Sequence, residues 1–318
     1  FNQNWGGLGL AIDSQDVPHV AYQNLTGNVK KISYATLDVA ATQISGYNVW
    51  IIETVDTNLG DTAGSWLSID LDSQNRPHIS YYSGDGINSI KYAFRNSTGW
   101  HNHTVDTGYN KLGWFSAIKI DSTDNPQIAY SRIEGNTLKY AIYDGSSWHT
   151  ENVGAQVGGD KKGLQLALSA ADVPHLCYFD QNLLQLGYAT YSGSSWVKET
   201  NVISDDLDMD LSLARGRYCD IEVDQYGDPH ITFDYNVLTE IGYLKKNGTS
   251  WDGRNLSVSH ENSFFGYTQL ELDSSENPCF SYADKHRIET NKRDVYFGCI
   301  DTDSGEIVLR ESGLLHTC

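Results

Sequence analysis

Apolar and polar positions alternate along this chain in short runs, and the runs recur. The stretch "LDSQNRPHISYY", residues 71–82, has cousins beginning near residues 12, 120, 168, 223 and 272. All six prolines fall in this phrase: Pro18, Pro77, Pro126, Pro174, Pro229 and Pro278. Two residues after each proline comes an apolar side chain: Val20, Ile79, Ile128, Leu176, Ile231 and Phe280. Three after comes a small one (Ala21, Ser80, Ala129, Cys177, Thr232, Ser281). Four after comes a ring: Tyr22, Tyr81, Tyr130, Tyr178, Phe233 or Tyr282. A period of two predicts a strand packed on both faces. Eight and six positions before each proline, pairs such as Leu10/Ile12 and Ile69/Leu71 predict a preceding strand. A third strand carries "ISYA", "IKYA", "LKYA", "LGYA", "IGYL" and "VYFG". A tryptophan opens a fourth at Trp50, Trp100, Trp148, Trp196 and Trp251, and "SGEIVL" replaces it in the last unit. No segment reads as a helix.

The turn between the first two strands holds Asp13, Asp72, Asp121, Asp224 or Asp273, with Ser169 as the exception. Such side chains fold back onto nearby backbone N–H groups. Proline is tolerated at a strand's first position. Four antiparallel strands recurring about every 50 residues describe a propeller blade. The expectation is an all-β fold: a six-bladed β-propeller with four antiparallel strands per blade. It forms a single domain over residues 1–318, with blades near 1–57, 58–107, 108–154, 155–203, 204–259 and 260–318. Each blade runs from first strand to fourth, so the ring is expected to close by packing. A linear stack is the alternative, at the cost of two exposed apolar ends.

The "DGSSW" turn Asp144–Trp148, and its variant Ser192–Trp196, is similar to the Asp-box S-x-D-x-G-x-T-W. With the repeated unit it resembles the exported bacterial and archaeal propeller repeats of the sialidase-like superfamily. The likeness covers nearly the whole chain and implies the fold. That superfamily includes sialidases, polysaccharide lyases, lectins and proteins without known chemistry.

Charge and cysteine content narrow the picture. With 22 Lys+Arg against 41 Asp+Glu, the net charge of −19 disfavours nucleic-acid binding. No run of apolar residues is long enough to span a membrane. The opening "FNQNWGGLGL" lacks the pattern of a signal peptide, as expected if one had already been removed. The five cysteines, Cys177, Cys219, Cys279, Cys299 and Cys318, contain no C-x-x-C pair, which argues against zinc. Disulfides fit them, with the connectivity open. Sequons at Asn24, Asn96, Asn102, Asn247 and Asn255 are candidate glycosylation sites. The expected location is extracellular or at the cell surface.

Binding residues are sought where loop length varies, on the face opposite the Asp–Pro turns. The candidates are the aromatics Trp66, Trp114, Tyr218 and Tyr267, as stacking planes for sugars, with Arg132, Arg217 and Arg287 for anionic groups. A sialidase would need these arginines as its carboxylate triad, and the family's "RIP"-like motif is absent. A lyase would need a His or Tyr base, for which His260, His286, Tyr109 and Tyr218 stand on suitable loops. His19, His78, His175 and His230 recur once per blade, too widely spread to share an ion, and are read as hydrogen-bonded. No cofactor and no metal are expected. Asp205, Asp206, Asp208 and Asp210 make an acidic loop that would suit Ca²⁺ only without the EF-hand pattern. Polar residues of the first strands, among them Asp70 and Asp220, are expected to line a wet axis. The leading reading is a binding propeller for glycans or for neighbouring subunits of an extracellular assembly, its own copies included. A carbohydrate-active enzyme, lyase before hydrolase, is the second reading, and a purely structural block the third.

Overall fold

A computed structural model describes residues 7–26, 29–57, 59–60, 67–84, 86, 88–108, 112–132, 136–157, 163–200, 202–203, 216, 218–236, 240–256, 263–286, 293–300 and 307–311. The chain is all-β, with the six four-stranded antiparallel blades of a β-propeller. The first sheet is β1 (Leu8–Ile12), β2 (Pro18–Thr26), β3 (Val29–Leu37) and β4 (Trp50–Asp56). The second is β5 (Ser68–Leu71), β6 (Pro77–Ser83), β7 (Ser89–Asn96) and β8 (Gly99–Thr107). The third is β9 (Leu112–Ile120), β10 (Pro126–Arg132), β11 (Thr137–Tyr143) and β12 (Trp148–Gln156). These three lie in one compact unit, residues 1–159. A second unit, residues 160–318, holds the other three. They are β13 (Leu164–Leu168) to β16 (Trp196–Glu199) through β14 (Pro174–Asp180) and β15 (Gln185–Tyr191); β17 (Cys219–Val223) to β20 (Ser250–Asn255) through β18 (Pro229–Asn236) and β19 (Glu240–Asn247); and β21 (Ser263–Leu272) to β24 (Ile307–Glu311) through β22 (Pro278–His286) and β23 (Arg293–Ile300). Every sheet is a meander of strands consecutive in sequence.

The repeated turn is held as its residues dictate. Asp72 Oδ1 accepts from the backbone N–H of Gln74 and Arg76, both at 2.9 Å. Asp13, Asp121, Asp224 and Asp273 do the same in their turns, and Ser169 substitutes its hydroxyl. The residue three after each turn Asp or Ser has positive φ, at Asp16, Asn75, Asp124, Asp172, Gly227 and Glu276. Asp, Asn and Gly tolerate that conformation best.

The core lies between sheets. Ala21, Ile32 and Tyr34 of the first sheet pack with Ile69, Ile79 and Tyr81 of the second. Comparable clusters join the second sheet to the third, the fourth to the fifth, and the fifth to the sixth. Polar side chains also bridge sheets. Asp70 Oδ2 accepts from the Ile120 N–H at 2.7 Å, and Asp220 Oδ2 from that of Leu270 at 2.8 Å. These first-strand carboxylates therefore satisfy the open edge of the next sheet, where an unpaired N–H is costly.

The two disulfides serve different links. Cys177 on β14 bonds Cys219 on β17 and staples the fourth sheet to the fifth. Cys279 and Cys299 are directly opposed on β22 and β23, with Cα atoms 4.0 Å apart. Cys318 lies outside the described residues.

The helix-free expectation is corrected in one place. Residues Val39–Ser45 form a short helix, α1, between β3 and β4. Asp38 caps its start by accepting from Ala41 N–H, and Gly46 ends it at φ 71°. These are ordinary helix start and stop signals, set inside an insertion that the other described third-to-fourth connections lack.

Candidate functional site

A cavity of about 360 Å³ opens between the first and second sheets, on the edge where the Asp–Pro turn and the third-to-fourth turn meet. The first sheet contributes His19, Tyr34, Thr36, Ile51 and Glu53; the second contributes Gln74–Pro77 and Arg95–Ser97. The sheet register explains the grouping. Tyr34 on β3 stands opposite Glu53 on β4, and Thr36 opposite Ile51, so all four side chains share one face.

Glu53 on β4 is held across the groove by the second sheet. Arg95 donates to it twice, Nε to Oε2 and Nη2 to Oε1, each at 2.7 Å. The Trp100 indole N–H adds a third bond at 2.8 Å. The Arg95 hydrogen bonds hold the Glu53 carboxyl below the usual carboxylate range and raise the guanidinium further. Glu53 is therefore a fixed anion at neutral pH. Arg95 keeps Nη1, and Arg76, whose Nε binds Asp72, keeps its terminal nitrogens without a protein partner among the described residues. Ile51 is 42% exposed on the cavity wall.

Beneath this rim lies a buried relay. The Asp13 carboxylate faces His19 Nε2 at 3.4 Å, and His19 Nδ1 meets Tyr34 Oη at 2.6 Å. Burial pushes the His19 pKa down against the pull of Asp13, and pushes the Tyr34 hydroxyl up to about 12. A neutral ring that donates from Nε2 and accepts the tyrosine O–H at Nδ1 satisfies every partner. His78–Tyr92 and His230–Tyr243 repeat the arrangement with Asp72 and Asp224, and His175–Tyr188 repeats it without an aspartate. The hydrogen-bonded reading of these histidines thus describes their geometry. Among the described residues no cluster of three His, Cys, Asp or Glu is placed to hold a metal ion.

Trp66, Arg217, Arg287, Tyr109, His260 and the loop Asp205–Asp210 fall outside the described residues. Trp114, Tyr267 and His286 lie on β9, β21 and β22, with side chains also outside them. Tyr218 is half-buried, its N–H donating to Asp234 Oδ1 at 3.0 Å, and Arg132 is half-buried at the end of β10. Neither lines the cavity. Among the sequons, Asn96 does line it, whereas the Asn102 amide donates to Val55 C=O at 3.0 Å between sheets. Glu53, Arg95 and Trp100 were legible only as a pairing: "WIIE" in one unit and "RNSTGW" in the next.

The fold is shared with solved structures at low identity. An ulvan lyase, a polysaccharide lyase bound to -[GlcA(1-4)Rha3S]-, is 12% identical, with a TM-score of 0.65 over 98% of this chain and 81% of that one. The lectin AAL of Aleuria aurantia, in complex with Fucα1-6GlcNAc, is 12% identical, with a TM-score of 0.55 over 98% and 97%. The NanB sialidase of Streptococcus pneumoniae is 8% identical, with a TM-score of 0.54 over 91% and 66%. No protein-family model and no curated protein matches the sequence.

Proposed function

We propose that this chain is an extracellular glycan-binding propeller and that the groove between its first and second sheets takes a saccharide. The observation that carries this is Glu53, fixed by Arg95 and Trp100 at the mouth of a cavity floored by Tyr34 and walled by Ile51. A sugar ring needs paired donors and acceptors for vicinal hydroxyls and an apolar surface for its C–H face. The carboxylate and guanidinium offer the first, and the exposed Ile51 side chain offers the second. A pre-bonded Glu53 loses little entropy on binding. Its lowered pKa suits an acceptor better than a proton donor, which favours binding over glycoside cleavage at this groove. The shared fold of a lectin that holds Fucα1-6GlcNAc supports the reading. Two disulfides support an oxidising, extracellular setting. A glycan array scored for both retention and cleavage tests it. Retention without cleavage, weakened about tenfold by Glu53→Ala as expected for a lost charged hydrogen bond, is the expected result. Cleavage, or retention that Glu53→Ala leaves untouched, contradicts it.

A further inference from the structure

The second unit repeats the same set of side chains between its fourth and fifth sheets. Tyr188 on β15 stands opposite Glu199 on β16, as Tyr34 stands opposite Glu53. Thr190 stands opposite Val197, as Thr36 stands opposite Ile51. Thr190 donates to Pro174 C=O at 3.1 Å and Thr36 to Pro18 C=O at 3.0 Å, so the two threonines share an equivalent hydrogen-bond partner as well as a position. From the neighbouring sheet the Trp251 indole donates to Glu199 Oε2 at 2.8 Å, and Lys246 Nζ binds Oε1 where Arg95 binds Glu53. Trp251 meets Tyr188 edge-on at 5.1 Å between ring centroids, and Trp100 meets Tyr34 likewise at 5.3 Å. Val197 is 44% exposed, close to Ile51 at 42%.

The other grooves within each unit lack this set, so it is not a mere consequence of the repeat. Between the second and third sheets the threonine position is Phe94 and the glutamate position His103. Phe94 stacks on His101 and His103 at 5.1 and 5.9 Å, and rings occupy the space. Between the fifth and sixth sheets the two positions are Lys245 and Arg254, and no carboxylate faces Tyr243.

We infer that the groove between the fourth and fifth sheets is a second saccharide site, matched to the first in its glutamate, cation and tryptophan but selective for uncharged sugars. The inference rests on the glycan reading of the first groove. Selectivity comes from the residue before the blade's proline. It is Arg76 in the first groove and Asp228 in the second, and the residue two before that changes from Gln74 to Tyr226, which is 80% exposed. Arg76 offers unused guanidinium donors to a carboxylate or sulfate. Asp228 places a like charge where such a group would sit, and repulsion of that kind sets specificity.

The two indole N–H groups report on the sites separately. Proton–nitrogen spectra of the full chain, with the resonances assigned through Trp100→Phe and Trp251→Phe, are followed during titration with methyl α-L-fucoside, methyl β-D-galactoside and methyl β-D-glucuronide. A neutral glycoside is expected to shift both indole signals. The glucuronide is expected to shift that of Trp100 and to act at least about tenfold more weakly on that of Trp251. Asp228→Asn is expected to narrow that gap. A Trp251 signal unmoved by a probe that moves Trp100 overturns the second site and leaves the first standing. Equal response of both signals to glucuronide overturns the charge selectivity. If no probe moves either signal, the glycan reading fails and the inference falls with it.

Discussion

A buried imidazole between a tyrosine and a turn recurs in four sheets, and its cost is pH-dependent. Burial pushes the His175 pKa down to about 4, aided by the Lys246 charge. Its ordinary value lies near 6.5. The unfolded chain therefore takes up a proton that the folded chain refuses, and stability falls as pH drops below about 6.5. The loss from His175 alone is expected to reach ~1–2 kcal/mol between pH 7 and pH 5, measured by urea unfolding. Glutamine already fills this role in the third sheet, where Gln127 accepts from the Tyr140 hydroxyl. His175→Gln is accordingly expected to flatten the pH slope while keeping most of the stability at pH 7. An unchanged slope would mean that His175 is not held neutral. A second residue-scale test concerns Gly187. A Cβ there would lie 2.5 Å from the Tyr178 ring. Gly187→Ala should cost ~1–3 kcal/mol through overpacking, and a neutral effect would show that the ring has room to move.

The individual sheet is the element that the alternation and the turn chemistry made readable. Asp, a left-handed residue and proline each act within five or six positions, so "LDSQNRP" announces its turn without help from the rest of the chain. What joins sheets was not readable, because it pairs positions about 40–50 residues apart with no local sign. Cys177 sits three after its proline, and Cys219 sits opposite Phe233 on the next first strand. Those two positions meet at a seam between sheets. Ser80 and Ser116 occupy the same seam between the second and third sheets, with their hydroxyl oxygens 3.0 Å apart. Two expectations follow from that equivalence. Removing Cys177 and Cys219 by alanine should cost up to about 4 kcal/mol on a chain-entropy account of the closed loop. The Ser80→Cys/Ser116→Cys pair should cross-link on oxidation, detected as the loss of two free thiols. Thiols that stay free would show that the two seams differ in geometry. The helix α1 was missed for a related reason. Its caps, Asp38 and Gly46, belong to an insertion that the repeat does not predict.

At the scale of the whole molecule, loop variability points a sequence reading to the irregular loops, whereas the cavity among the described residues lies at the regular turns. The reason is physical. Tyr34, Glu53 and Trp100 each read as repeat residues with a packing role, and they do pack: Tyr34 is 3% exposed. The second role proposed for them rests on adjacent sheets placing an acidic fourth strand beside a basic third one. The signal is the joint occurrence of "W-x-x-E" with "[RK]-N-x-T-x-W" in the following unit, at Trp50–Glu53 with Arg95–Trp100 and at Trp196–Glu199 with Lys246–Trp251. In a chain of net charge −19, the guanidinium groups of Arg76 and Arg95, each paired with one carboxylate, meet an anionic sugar through charge that salt should screen. Glucuronide affinity at the first groove is therefore expected to weaken as sodium chloride rises from low to physiological concentration, and fucoside affinity is expected to stay level. Equal salt dependence would detach Arg76 from recognition.

The most direct measurement is a crystal structure of the full chain with the glycan that the array retains best. The account predicts saccharide density between the first and second sheets, with hydroxyls on Glu53 and Arg95 and the ring against Ile51. Density confined to the loops around Tyr218 or Arg132, with the groove holding only solvent, would contradict it.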